Sequence, residues 1–345
     1  MLVCNAATWM VKLFPFLLPL TCHAATNNHR VVVYYQTTNY NGSATEHVSL
    51  LPLINSEAKI PVTHVLVSAL HIDDKDGIHL NDYPPDNPIF DEVWSDVAQL
   101  QAKGVVVTGM LGGAAPGSFT RLDGDDAQFE KYYGPLHDTI GQYNLQGLDL
   151  DVEENMSLNG IIRLIDRLRK DFGDDFVITL APVASALQKG GGNLSGFDYF
   201  KLEAQRGSDI DFYNGQFYSG FGSAASTSDY QDIIDGGFPA EKVVMGLLTN
   251  KANGNGFVAL DTSAGVIKEL VAEYPDFGGV AGWEYFNSMP GGQKEPWKWA
   301  SWATNALSAS STTDTSSPKF MVKRAAHDTW HVVRRWGRQT WRLLK

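Results

Sequence analysis

Residues 145–154 read Leu145-Gln146-Gly147-Leu148-Asp149-Leu150-Asp151-Val152-Glu153-Glu154. Three carboxylates, Asp149, Asp151 and Glu153, stand two apart, with Leu148, Leu150 and Val152 between them. Successive side chains of a strand point to opposite faces. As a strand, this segment puts all three acids on one face and its aliphatics on the other. A half-exposed strand with a solvated acidic face would also show this pattern. Acidic residues are depleted in strands, however, and three in a row repel one another unless something uses them. Such repulsion can hold a shared proton at neutral pH, which a general acid needs.

Outward from this stretch, eight short apolar runs punctuate the chain. They are Val31–Tyr35, Thr63–Leu70, Val105–Leu111, Gly147–Glu153, Val177–Val183, Asp211–Tyr218, Val243–Leu248 and Gly279–Tyr285, with starts 30 to 42 residues apart. Several are nearly continuous in aliphatics, as in parallel strands buried on both sides. The segments Phe90–Leu100, Phe129–Tyr143, Ile161–Leu168 and Val266–Tyr274 between them carry helical spacing. Gly173 is placed to end the third of these. Eight alternations predict an α/β chain, a (β/α)8 TIM barrel forming a single catalytic domain over 25–307. A doubly wound sheet is the alternative, but no dinucleotide fingerprint follows the first run. In such barrels the site lies at the C-terminal strand ends. Glu153 closes the fourth run, and Asp151 precedes it by about 6.6 Å at the strand rise.

The ends of the chain read differently. Residues 1–24 have the shape of a secretory signal, with Lys12, the apolar run Leu13–Leu20 and Thr21-Cys22-His23-Ala24. Both cysteines, Cys4 and Cys22, fall inside it. The expected mature protein is therefore secreted (extracellular), with no disulfide and no zinc-thiolate site. Residues 308–318 form a Ser/Thr-rich linker, followed by a basic segment, 319–345, holding Trp330, Trp336 and Trp341. That tail is a candidate membrane-surface helix, a cell-wall contact or a dispensable extension, and the last is favoured. From Pro318 onward eight Lys/Arg and one Asp give +7, so the remainder carries −19 against a total of −12. A body this acidic is a poor nucleic-acid binder. No His spacing suits a metal, and His71 and His79 read as solvated residues beside a loop. A monomer is expected.

The strand-end residues resemble glycoside hydrolase family 18. That family carries Asp-Gly-x-Asp-x-Asp-x-Glu on strand four of a (β/α)8 barrel. Here the segment is Gln146-Gly147-Leu148-Asp149-Leu150-Asp151-Val152-Glu153. The third run ends Met110-Leu111-Gly112-Gly113, similar to the family's Ser-x-Gly-Gly; the sixth ends Gln216-Phe217-Tyr218; the eighth holds Gly282-Trp283-Glu284. Departures fall at Gln146, Met110 and Ser219. Within the family the chain most resembles secreted fungal endo-β-N-acetylglucosaminidases. The shared blocks are Gly112–Phe119, Leu180–Leu187, Gln216–Gly222 and Gly282–Ser288.

Most retaining glycosidases need two carboxylates about 5–5.5 Å apart across the sugar. Acids along one strand lie beside one another instead. The resemblance implies substrate assistance, in which the sugar's 2-acetamido oxygen attacks the anomeric carbon. It implies that Glu153 protonates the leaving oxygen and then activates water. Asp151 would orient the acetamido group, and Asp149 would hold Asp151 and share its proton. Tyr218 would donate to the acetamido oxygen, Trp283 would form the floor of the sugar site, and Gln216 would bind substrate. Of Tyr34 and Tyr35 only one can point inward, and Tyr34 is the candidate to face the sugar. No metal and no cofactor are expected. The implied substrates are N-glycosylated proteins or free oligosaccharides, with the GlcNAc-β-1,4-GlcNAc core as the bond cut. A chitinase is the alternative, and a non-catalytic sugar-binding barrel a remote one. Three N-glycosylation sequons begin at Asn41, Asn155 and Asn193.

Overall fold

Among the described residues, eight of the nine strands are parallel and correspond to the eight apolar runs. The computed structural model describes residues 29–43, 45–55, 62–73 and 77–308. The leader reading of 1–24, the tail 319–345 and the linker beyond Ser308 lie outside the described residues. The strands are β1 (Arg30–Tyr35), β2 (His64–Ile72), β3 (Ile78–Leu80), β4 (Val106–Gly112), β5 (Gly147–Asp151), β6 (Val177–Leu180), β7 (Phe212–Gln216), β8 (Val243–Leu248) and β9 (Gly279–Trp283). The helices are α1 (Pro52–Asn55), α2 (Asp91–Ala102), α3 (Ser118–Leu122), α4 (Asp126–Gln142), α5 (Leu158–Phe172), α6 (Tyr199–Arg206), α7 (Ser228–Gly236), α8 (Leu260–Glu273) and α9 (Lys298–Ser308).

The hydrogen-bonded order runs β1-β9-β8-β7-β6-β5-β4-β2, and β1 also pairs with β2, so the sheet closes on itself. The expected (β/α)8 barrel is the fold. Strand alternation sorts side chains into two cores. Val32, Tyr34, Leu66, Met110, Phe212 and Val244 fill the barrel. Their neighbours Val31, Val33 and Tyr35 point outward under the helices.

Helix α5 shows how the outer layer is built. Ile161, Leu164, Ile165 and Leu168 repeat at helical spacing, and all are fully buried. Each such side chain contributes about 1.5–3 kcal/mol. Ser157 Oγ caps the first turn by accepting from Gly160 N at 2.9 Å, and Gly173 ends the helix at φ 84°.

Two details differ from the sequence reading. Strand β5 stops at Asp151, two residues short of Glu153. The Val152 carbonyl accepts from Ser195 Oγ at 2.7 Å, so the chain leaves the ladder there. His71 and His79 do flank a loop, but they are partly buried strand residues and not fully solvated ones. They pair across an antiparallel hairpin, β2–β3, that rises from the barrel rim. The three sequons lie after β1, β5 and β6, at the same end of the barrel.

Candidate active site

The end of β5 delivers the acids. Asp149 is fully buried and accepts three hydrogen bonds, from the Tyr34 hydroxyl at 2.9 Å, the Thr179 hydroxyl at 2.5 Å and Asn214 Nδ2 at 3.0 Å. Thr179 is its register partner on β6. Burial pushes the Asp149 pKa up, and the three donors pull it back. Asp151, one layer higher, is also buried. Burial, then the charges of Glu153 and Asp149, hold its carboxyl well above the usual range. Asp151 is thus the carboxyl of the pair that its surroundings bias toward the protonated form.

Strand β7 and the residues just past its end face these acids with Asn214, Gln216 and Tyr218 at two-residue spacing. Gln216 Nε2 donates to Asp151 Oδ1 at 3.1 Å, Glu153 Oε1 at 3.1 Å and the Ala181 carbonyl at 2.9 Å. One amide therefore spans both carboxylates, and Glu153 joins the acidic face although it lies beyond the strand. The Tyr218 hydroxyl has no hydrogen-bond partner among the described residues. Burial, then Asp151, Glu153 and Asp149, push its pKa well up, so it keeps its proton and remains a donor.

Trp283 at the end of β9 packs edge-on against Tyr34, with ring centroids 5.4 Å apart. The next residue, Glu284, is buried and accepts from Gln36 N at 3.2 Å, Thr37 N at 2.7 Å and Thr37 Oγ1 at 2.9 Å. It ties the loop after β1 to the Trp283 corner. Above these residues opens a cleft of about 390 Å³. Its lining includes Gln36, His71, Asp151, Glu153, Tyr218 and Trp283. Among the described residues the only carboxylates in that lining are Asp151 and Glu153, both from the β5 end.

All seven residues singled out in the sequence thus lie around one strand-end site, with two changes of detail. Tyr34 sits a layer below the cleft and spends its hydroxyl on Asp149 instead of presenting it to a sugar. Asp149 makes no hydrogen bond to Asp151 among the described residues; the two couple through charge alone. Asn214, Thr179 and Glu284 were missed. Asn214 had a usable signal, because it precedes Gln216 and Tyr218 at the same two-residue step. Among the described residues no cluster of three or more His, Cys, Asp or Glu is placed to hold a metal.

The model of a known family, glycosyl hydrolases family 18, matches residues 30–327. The chain belongs to glycosyl hydrolase family 18. A solved fungal endo-β-N-acetylglucosaminidase of family 18 is 52% identical, with a TM-score of 0.78 over 81% of this chain and 98% of that one. The chitinase ChiC from Aspergillus fumigatus is 51% identical, with a TM-score of 0.74 over 81% and 99%. Chitinase 2 of Rhizopus oligosporus is 28% identical over 293 residues, which are 78% of this chain and 52% of that protein. The chain thus spans about half the length of that curated relative.

The three departures from the family 18 pattern now have places. Gln146 is exposed at the far, N-terminal end of β5, where its Oε1 accepts from Val107 N at 2.9 Å. It fastens two strands and takes no part in the acid array. Met110 is buried inside the barrel, its Cε beneath Gly113. Ser219 turns the chain at φ 56° on the rim of the cleft, its N–H bonded to the Asn255 carbonyl at 2.8 Å.

Proposed function

We propose that this family 18 chain is a retaining, substrate-assisted endo-β-N-acetylglucosaminidase that cuts the GlcNAc-β-1,4-GlcNAc core of N-linked, high-mannose glycans. The observation that carries the reading is the bridging of Asp151 and Glu153 by Gln216, with no other carboxylate among the described residues that line the cleft. A carboxylate nucleophile must stand across the sugar from the acid, whereas Asp151 stands beside Glu153 at the same strand end and is joined to it through Gln216. The nucleophile must then come from the substrate, and a 2-acetamido group supplies one.

In the first step the acetamido oxygen bonds to the anomeric carbon as the glycosidic C–O bond breaks. The Glu153 proton passes to the leaving oxygen. Asp151 faces the acetamido N–H and stabilises the oxazolinium cation, while Tyr218 donates to the acetamido oxygen. In the second step Glu153, now a carboxylate, takes a proton from water. That water attacks the anomeric carbon, and the oxazoline C–O bond breaks. Two inversions give retention. Trp283 offers an apolar floor to the sugar ring.

The likeness to the fungal endo-β-N-acetylglucosaminidase supports the N-glycan substrate. The leader reading of residues 1–24 would place the enzyme outside the cell, among N-glycosylated proteins and their free oligosaccharides. A second reading, chitinase, is favoured by the nearly equal likeness to ChiC, since chitin carries the same linkage. Incubation with a high-mannose glycoprotein and with colloidal chitin separates them by product mass. The proposal expects a protein that retains one N-acetylglucosamine per site. Soluble chitin oligomers with untouched glycoprotein would establish the second reading instead.

A further inference from the structure

Glu154 follows Glu153 in the chain but does not line the cleft. Its carboxylate reaches the start of α3. Oε1 accepts from Gly117 N and Phe119 N, both at 2.8 Å, and Oε2 accepts from the Thr120 hydroxyl. Helix α3 has Gly117 at its N-cap, which has no side chain to cap with. The free N–H groups of a helix start need acceptors, and a negative charge there is favourable. Glu154 supplies both from another loop.

That loop is the one that carries the acid. Its other fixed points are the Val152 carbonyl, held by Ser195 Oγ at 2.7 Å, and Met156 N, bonded to the Ser195 carbonyl at 3.0 Å. Glu153 lies between the two anchored residues Val152 and Glu154. Its own side chain has one hydrogen-bonding partner among the described residues, Gln216. The turn that leads into the segment Glu154 grips forms a wall of the cleft, through Gly112, Gly113, Ala114 and Ala115. Gly113 N meets the Asp151 carbonyl at 2.9 Å. The Glu154 carboxylate therefore adds a side-chain tie between the acid's loop and the chain beyond the cleft wall to the backbone bonds already there.

We infer that Glu154 is a positioning residue that aims Glu153 at the leaving oxygen. The inference rests on the assignment of Glu153 as the acid. A misaimed acid hurts a leaving group that needs a proton and spares one that leaves unaided. A displacement of about 1 Å can cost on the order of a hundredfold in rate.

The test compares wild type, Glu154→Ala, Glu154→Gln and Thr120→Val below their melting temperatures. Each is assayed on the natural glycan and on the same glycan carried on 4-nitrophenol. Glu154→Ala should lower kcat on the natural glycan roughly tenfold or more, with KM within about twofold, and lower the first-turnover release of 4-nitrophenol, which precedes the water step, far less. Glu154→Gln keeps an acceptor for the two N–H groups and should fall between it and wild type. Thr120→Val keeps the charge and tests the third contact if Glu154→Ala fails to fold. Equal losses on both substrates, or no loss in folded variants, would overturn the inference. Glu153→Gln serves as the control. If it retained hydrolysis of the natural glycan, the acid assignment itself would fall, and the inference with it. If it is dead while the Glu154 variants match wild type, only the inference falls.

Discussion

Two hydrogens on one amide serve three acceptors at Gln216, so the shape of the acid pair depends on how that amide is shared. Glu153→Gln keeps the size of the acid and removes its transferable proton. Hydrolysis should fall by a factor of about 100 or more with the melting temperature preserved; near wild-type turnover in a folded variant would refute the role. Asp151 is a stability term as well. Its pKa is higher folded than unfolded, so the folded protein holds a proton that the unfolded chain releases. That contribution is complete below about pH 4 and is lost as pH rises through the folded value. Asparagine imitates the protonated form. The melting temperature of Asp151→Asn relative to wild type should therefore climb from pH 4 upward, and parallel pH curves would contradict it. The acids were legible because their two-residue step is rare. Asn214 shared the two-residue step of Gln216 and Tyr218 and could have been read from it, but Thr179 could not, because a single polar residue in a strand says nothing until the partner strand is known. Glu154 looked like one more acid in a run; its target, the start of α3, lies 34 to 37 residues away.

At the scale of elements, the strands were legible as runs and their ends were not. The reading overshot β5, β6, β7 and β9 by two or three residues. Hydrophobicity continues past the last ladder bond, and what ends a strand is a partner such as Ser195 that no periodicity reveals. Strand β3 was missed because three residues are too few to show alternation. Its turn depends on Asp73 Oδ1 accepting from Gly77 N at 2.7 Å. The β4–α3 connection gives a sharper test. Gly112 has φ 96°, and a β-carbon there would lie 2.4 Å from Phe119 Cε2 and 2.5 Å from the Asp151 carbonyl oxygen. Gly112→Ala should cost about 2 kcal/mol or more, read from the denaturant midpoint. It should also lower activity under conditions where the variant is folded. A midpoint like wild type would show that the loop has room to move.

For the whole molecule, closure is the governing fact, and the barrel floor records it in a titration. His64 opens β2, with its ring edge-on to Phe212 of β7 at 5.1 Å and the Arg30 guanidinium over the same Phe212 ring at 4.4 Å. Burial, then the Arg30 charge, lower its pKa to about 4. The unfolded chain takes up a proton near pH 6.5 that the folded barrel refuses, so stability is full above that pH and lost as pH falls toward 4. The loss is about 3 kcal/mol at most. Unfolding free energies at pH 7 and pH 4 should differ less in His64→Asn than in wild type, and an unchanged difference would rule out this source. Closure also has a consequence for synthesis. Strand β1 bonds to β2 on one side and to β9 on the other, across some 250 positions of chain. While the protein emerges from the ribosome, β1 has a neighbour on one flank early and must wait for nearly all the rest before the other is covered. Until then the growing chain carries an open strand edge at each end of an unfinished sheet, the kind of surface that recruits wrong partners. The last stave, not the first, commits the chain to its native state.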